Sequence, residues 1–398
     1  MTTNILLTPS IIAKEALMQL LNELAMSRNV YREYKNEFAK VGGTITIRKP
    51  NKFRATKTDA ISKSTIAEPS TTLTVSTPAH VAWEFSSTEL TLTIEEYSKR
   101  YVVPGCQALG NTIDDDLCSL YKKVAQSAGT PGTTPATFGV LGDCQTILSN
   151  GGVPSASRVG ILNPNANWAL ADGLKGTFAQ QVAKDIITKG YLGTIADLSL
   201  YQDQNIQRHT TGHFTTDATP VMNGATLTDA TTLVTNGWGG SNDVHVGDVF
   251  TISGVYAVNP MTGKSTGALM QFVVTAQTDD VAGDMTIPIS PTIVYGATNP
   301  YSNVSALPAN GAVLTFMGTE DTEYPQNLIF RPEAFALATI PVEMPAGVWG
   351  ARETDPESGL SVRIVKQFDI DTNKEVARLD VLYGMDCIYP ELCVRLWG

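Results

Sequence analysis

His209 and His213 stand four residues apart, a spacing that on a helix would turn two imidazoles to one side as metal ligands. Between them lie Thr210-Thr211-Gly212, poor helix formers, and no glutamate is at hand as a general base, so the pair reads as part of a loop. His80 and His245 have no partner by sequence. Gly263-Lys264-Ser265-Thr266 ends like a phosphate-binding loop, but the glycine needed five residues before Gly263 is Val258. A hairpin turn is the better reading there. Asp114-Asp115-Asp116 falls inside a helical pattern, where three successive carboxylates fan through roughly 200° and cannot converge on one cation. Asp369-x-Asp371-x-Asn373 opens like a calcium loop, yet its sixth position is Lys374 instead of glycine and its twelfth is Asp380 instead of glutamate. Cys106, Cys118, Cys144, Cys387 and Cys393 form no C-x-x-C pair and no zinc spacing, and read as reduced, buried thiols. No G-x-S-x-G, H-E-x-x-H or G-x-G-x-x-G occurs. These residues argue against an enzyme; no catalytic residue, metal or cofactor is expected.

The elements that would carry such groups come from 398 residues, enough for two or three folding units at roughly 150 each. Hydrophobic residues at 42% can build a sizeable core, while charged residues at 17% fall short of the roughly 25% of an ordinary domain. No apolar run reaches the 18 or so residues of a transmembrane helix, and the N-terminus lacks the basic and apolar regions of a signal peptide. No membrane role is expected. The net charge of −11 argues against a protein whose task is gripping nucleic acid. The charge is segregated: 28–57 carries Arg28, Arg32, Lys35, Lys40, Arg48, Lys49, Lys52, Arg54 and Lys57 against Glu33 and Glu37. Across 209–325, Lys264 is the sole basic side chain against ten Asp and Glu, which marks a module boundary.

Thr8-Pro9 is a helix start, and Ala13, Leu17, Leu20, Leu21 and Leu24 form an apolar stripe that needs a partner elsewhere. From Gly42 the period becomes that of strands, at 44–48, 72–75 and 90–94, with the polar segment 50–69 reading as an extended arm. Pro104-Gly105 opens the longest helical pattern, with Leu109, Ile113, Leu117, Leu120, Tyr121 and Val124, ending near Gly129-Thr130-Pro131. Helices are expected at 138–148 and 177–189 and from Pro164, with a buried strand at 158–162. The span 209–325 alternates short strands with Gly, Asn and Pro turns, as a small antiparallel barrel does, and a long hairpin closes the chain. The class is α+β.

The ordered set of local sequences carries a resemblance. Arg158-Val159-Gly160-Ile161-Leu162-Asn163-Pro164-Asn165-Ala166-Asn167-Trp168, the run from Gly190-Tyr191-Leu192-Gly193 to Gln204-Asn205-Ile206, Gly247-Asp248-Val249-Phe250-Thr251-Ile252, Asn327-Leu328-Ile329-Phe330-Arg331-Pro332, and Arg378-Leu379-Asp380-Val381-Leu382-Tyr383-Gly384 follow one another in a familiar order. Together the chain resembles the major capsid (coat) proteins of tailed bacteriophages, in the branch typified by phage P22, whose coat subunits carry an inserted I-domain.

That resemblance implies the tailed-phage major capsid fold. Its parts would be an N-arm at 1–40, an E-loop at 41–85, a P-domain at 86–130 with the spine helix at 105–128, and an A-domain at 131–208. An all-β barrel I-domain would occupy 209–325, and 326–398 would return to the A-domain and the P-domain hairpin. The implied function is self-assembly with a scaffolding protein, contacted by the N-arm, into an icosahedral shell of hexamers and pentamers. That shell would hold a portal protein and enclose double-stranded DNA touched only non-specifically. The implied location is the virion, reached from the bacterial host cytoplasm. Arg48, Lys49, Lys52 and Arg54 are candidates for meeting carboxylates of an adjacent subunit, with Asp114, Asp115 and Asp116 as one target. Trp238, in the Gly-rich stretch at the centre of 229–245, is a candidate capsomer contact. Some capsids of this fold crosslink through lysine; despite Lys52, Lys57 and Lys63, the branch resembled is not of that type and no covalent chemistry is expected. The alternatives left open are a decoration or tail component and, further off, an enzyme of unknown chemistry.

Overall fold

The computed structural model describes residues 9–23, 25–34, 43–55, 57, 59, 61, 68–86, 98–174, 193–195, 197–214, 218–296, 299–354, 360–371 and 374–398. The strand expected at 90–94, the helix expected at 177–189, Lys63 and Asn373 lie outside them. Two compact units divide the chain, each with its own sheet.

The first unit gathers Met1–Ile47, Ser70–Cys118 and Phe335–Ile388. Its sheet runs Phe335–Ile340, Lys374–Cys387, Ser361–Asp369, Trp349–Thr354, and Thr77–Ser86 pairs along Lys374–Cys387 from Lys374↔Ser86 to Tyr383↔Thr77. The terminal hairpin foreseen from alternation is therefore the centre of this sheet. Helix Pro9–Glu23 lies against Trp349–Thr354 and Ser361–Asp369, burying Ile12, Ala13, Ala16 and Leu17. Ala13 and Leu17 of its stripe are thus covered within the unit, and Ile11 and Met18 are exposed. Thr44–Arg48 and Ser70–Thr74 form a two-stranded ribbon, the stem of the polar arm. The ribbon's end passes close over the long strand at Gly384, where a Cβ would lie 2.1 Å from the Thr74 carbonyl oxygen.

The long helix is Val103–Ser119, with Leu109, Ile113 and Leu117 on its buried face. It stops short of the expected 128. After a tight 3-10 turn at Leu120–Lys123, Val124 turns extended, and Ser127–Ala128 pairs in parallel with Arg395 and Leu396. The helical spacing of Tyr121 and Val124 is real, but sheet pairing claims their backbone and tertiary context overrides local propensity.

The second unit comprises Arg48–Pro69, Ser119–Ala334 and Tyr389–Gly398. One sheet orders Ser127–Ala128, Cys393–Trp397, Glu323–Phe330, Arg158–Leu162, Leu198–Gln202 and Thr194–Ile195. Helices Phe138–Asn150 and Pro164–Leu174 belong to its layer; Leu141, Leu148, Ala166 and Leu170 join Leu162, Leu198, Ile329 and Leu396 in one core. Between the short strand Arg208–Thr210 and the return strand Glu323–Phe330 the chain builds a β-module with a core of its own. Its six strands run Leu314–Phe316, Val249–Val258, Ser265–Val274, Asp284–Ile293, Ala230–Asn236, Val221–Met222. The two edges meet through a Val221–Val313 bridge and the Leu314 N–H bond to the Pro220 carbonyl (2.9 Å), so the sheet closes into a barrel. Phe214 stacks on Phe316, which in turn meets Phe250, in the barrel's interior. Burial of each such ring is worth about 1.5–3 kcal/mol.

Candidate functional site

Arg48 ends the arm's first strand, and its guanidinium pairs with Glu68 across the arm at 3.0 Å, both side chains well exposed. Such a pair contributes about 0–1 kcal/mol and yields readily to another partner. Lys49 sets its ammonium 5.3 Å from the centre of the Tyr389 ring. The Lys52 side chain is exposed, while its backbone N–H donates to the Tyr301 hydroxyl at 3.3 Å. Arg54 donates from Nε to the Pro260 carbonyl (3.2 Å) and from Nη2 to the Ser302 carbonyl (3.3 Å). The structure brings all four to the second unit, along the root of the arm.

The three aspartates fare differently, as their fan around the helix requires. Asp114 faces inward, fully buried, and accepts the backbone N–H groups of Ala25 (2.6 Å), Met26 (3.2 Å) and Ser27 (3.1 Å). It cannot serve as a neighbour's target; its carboxylate fastens the turn that follows the N-terminal helix. Asp116 accepts from the Tyr383 hydroxyl, whose own ionisation is pushed up, first by burial and then by that carboxylate. Asp115 is the exposed one.

Trp238 also departs from expectation. It is 5% exposed, donates from Nε1 to Thr235 Oγ1 at 2.9 Å and packs edge-on against Phe316. Of the stretch read as an open tip, Ala230–Asn236 is strand and Gly239, Gly240 and Ser241 are exposed; Gly237, with φ +84°, turns the chain between them. Only glycine fits there, because a Cβ would stand 2.5 Å from the Thr219 carbonyl oxygen. The loop before that strand is exposed as well. Leu227, 77% exposed, and Val234 border a groove of about 360 Å³ that also takes in Met222 and Asp229.

The histidine pair separates. His213 is exposed and meets Asp321 at 2.8 Å, which raises its ionisation above the ordinary value. His209 is buried and lies between two groups that residue spacing did not single out. Its Nε2 is 2.8 Å from Asp248 Oδ1 and its Nδ1 is 3.2 Å from the Tyr121 hydroxyl. A carboxylate only accepts, so Nε2 carries the proton and Nδ1 accepts from tyrosine. Burial holds His209 below the ordinary imidazole range, and burial pushes the Tyr121 phenol up to about 12, so it stays a donor. Asp248 Oδ2 accepts from the Gly212 and His245 N–H groups at 3.2 and 2.7 Å. Arg395, wholly buried, lies between the Tyr121 and Trp397 rings and donates to the Gly247 carbonyl at 2.7 Å. Tyr–His–Asp in series looks like a proton relay, but each member is sealed from solvent. It clamps the short strand Arg208–Thr210, the β-module and the end of the chain together.

The remaining motifs resolve into turns. Gly263-Lys264-Ser265-Thr266 closes the hairpin between Val249–Val258 and Ser265–Val274. Asp369 caps its own turn by accepting from the Asp371 N–H at 3.1 Å. All five cysteines are buried and no disulfide joins them, and burial pushes the Cys106 and Cys144 thiols up to about 12. Among the described residues no three His, Cys, Asp or Glu gather in a way that could hold a metal ion, and no helix is long and apolar enough to cross a membrane.

Exposed among the described residues are the root of the polar arm, Ile11 and Met18 of the first helix, and the Leu227 loop. Comparison with known proteins gives the class, the capsid subunit of a phage. The family model described as "P22 coat protein - gene protein 5" matches residues 1–398, and the chain belongs to that family. A protein named major capsid protein, from Acyrthosiphon pisum secondary endosymbiont phage 1, is 21% identical over 98% of this chain and 97% of its own length. A solved structure from Mycobacterium phage Che8 covers 94% of this chain and 90% of its own, at 13% identity and TM-score 0.48. The CUS-3 coat protein I-domain is 28% identical over 26% of this chain and 99% of its own, at TM-score 0.20. These TM-scores are low, and the assignment rests on the full-length family match.

Proposed function

We propose that this coat protein assembles with a scaffolding protein into a closed icosahedral shell of hexamers and pentamers around a tailed phage's double-stranded DNA. The observation that carries the reading is the family match over residues 1–398, joined to an arm whose described residues 48–55 include none that is buried. Subunits in such a shell need many weak contacts, and exposed pairs such as Arg48–Glu68 are of that strength. In this reading the arm, Asp115 and the Leu227 loop meet neighbouring subunits. The β-module takes the place of an I-domain, the N-terminal helix meets scaffold through Ile11 and Met18, and a portal protein occupies one vertex. The protein works without catalysis, covalent crosslinking or cofactor, touches DNA non-specifically, and assembles in the host cytoplasm before residing in the virion. The test is expression of the full chain with its scaffolding protein, followed by sedimentation and electron microscopy. Closed shells are expected; a stable small oligomer that forms no shell would overturn the reading.

A further inference from the structure

The arm's root rests on a part of the β-module that is built to receive it. The turn at 259–264 is rigid: Asn259 Oδ1 accepts from the Met261 and Thr262 N–H groups at 2.9 and 3.1 Å, and its backbone exchanges hydrogen bonds with Gly263 and Lys264. Asn259 Nδ2 donates to the Asn150 carbonyl at 2.8 Å, which tethers the turn to the neighbouring helix end. Arg54 lies across this turn. Its guanidinium bonds to two carbonyls, Pro260 and Ser302, and has no carboxylate partner among the described residues. Gly263, at φ +71°, leaves the space it needs: a Cβ there would stand 2.9 Å from Nη1 and 3.0 Å from Cζ. One step along, the Tyr301 hydroxyl accepts from the Lys52 N–H and donates to Asn51 Oδ1, each at 3.3 Å.

We infer that the turn at 259–264, with Tyr301 and Ser302, is a guanidinium receptor that holds Arg54 and fixes the direction of the arm in the subunit before any neighbour is present. Two carbonyls that accept from Nε and Nη2 suit a fork of N–H donors and not a compact ammonium. The β-module's excess of acidic residues over its one lysine favours a cationic guest. That lysine, Lys264, stands at the receptor itself, so recognition falls to the carbonyls and the glycine and not to local charge. Fixing the arm beforehand lowers the ordering cost of each contact it later makes. Only this last consequence rests on the chain acting as a coat subunit.

Hydrogen exchange read by mass spectrometry on the full-length, unassembled subunit tests the inference. Arg54→Ala and Arg54→Lys should both speed exchange in peptides covering 49–55, 259–264 and 301–303 by about tenfold, the scale of one net hydrogen bond. Lys264→Ala should match wild type. Wild-type exchange in Arg54→Ala, or faster exchange in the arm alone, would overturn the receptor. Full rescue by Arg54→Lys would overturn its selectivity. Protection at 49–55 that rises with subunit concentration would mean that a second copy holds the arm, and would overturn the intrachain assignment. Because exchange is read without assembly, its outcome is separate from whether shells form.

Discussion

Replacing Asp248 with alanine should detach the β-module from its support. The carboxylate, 1% exposed, accepts three hydrogen bonds: from His209 Nε2 at 2.8 Å, Gly212 N–H at 3.2 Å and His245 N–H at 2.7 Å. Hydrogen bonds to a charged group are each worth about 1.5–3 kcal/mol net. Their sum overstates the loss, because backbone donors at a loosened junction recover water. Removing one member of a buried charged network costs about 3–5 kcal/mol, and that is the expected magnitude. Asp248→Asn keeps one acceptor and turns an amide toward a donor, so about half the loss is expected. Two units in one chain make a single unfolding midpoint ambiguous, so local exchange is the sharper assay. At 1.4 kcal/mol per tenfold, a loss of about 4 kcal/mol speeds opening roughly a thousandfold at the Gly212 and His245 amides. Faster exchange is expected on both sides of the junction, at 209–213 and at 395–397. Exchange within about tenfold of wild type, or a change confined to the barrel, would refute the clamp.

Further outcomes follow from the same geometry. His209 is held neutral below its ordinary value of 6.5, so the unfolded chain takes up its proton first as pH falls. Its stability contribution is full above the unfolded value and is lost as pH drops through the window below 6.5; urea midpoints of His209→Gln should fall less steeply there than those of wild type. Trp238→Ala should destabilise the β-module by about 3–5 kcal/mol in urea unfolding, as loss of a core ring does; a folded variant that fails only in assembly would restore the contact reading. Asp114→Ala strands three backbone donors, two of them buried, and should cost about 3–5 kcal/mol, against about 0.5 for Asp115→Ala, by the same measurement. Ile11→Asp with Met18→Asp should leave the circular dichroism of the subunit unchanged while abolishing scaffold-dependent shells in sedimentation, because both side chains point outward.

Periodicity disclosed the described α-helices and strands such as Thr44–Arg48 and Arg158–Leu162, but not Thr77–Ser86 or Ala230–Asn236. Strand alternation at 44–48 and helical spacing through Leu109, Ile113 and Leu117 report which face of an element is buried, and burial followed. The end of the long helix was not legible, because the competing partner of Ser127 and Ala128 lies some 270 residues away at Arg395 and Leu396. Trp238 was misplaced because a Gly-Trp-Gly-Gly run marks a turn without saying which way the turn faces. Leu233 and Thr235 alternate on the inner face, a period that would turn Trp238 outward; the left-handed Gly237 breaks it and brings the ring in. Asp114 differed from its neighbours by helix phase alone: it sits four residues from Gly110 and from Cys118, both buried, whereas Asp116 sits four from the exposed Thr112. The clamp was opaque for a deeper reason. Tyr121, His209, Asp248 and Arg395 are single residues on separate elements, with no spacing to betray them. A lone histidine announces nothing until folding supplies its carboxylate.

The strand leading into the β-module and the strand leaving it are hydrogen-bonded partners, Thr210 facing Glu323 and Arg208 facing Pro325. Chain that departs and comes home at one doorway can be lengthened, exchanged or removed between those points with little rerouting of the rest. A graft there would inherit a ready-made stalk. Removal would carry a specific penalty, since Arg395 would lose the Gly247 carbonyl and His209, which stays on the entry strand beside Tyr121, would lose Asp248. Any replacement cassette must therefore bring an acceptor for that arginine, or the shortened chain must surrender the arginine as well.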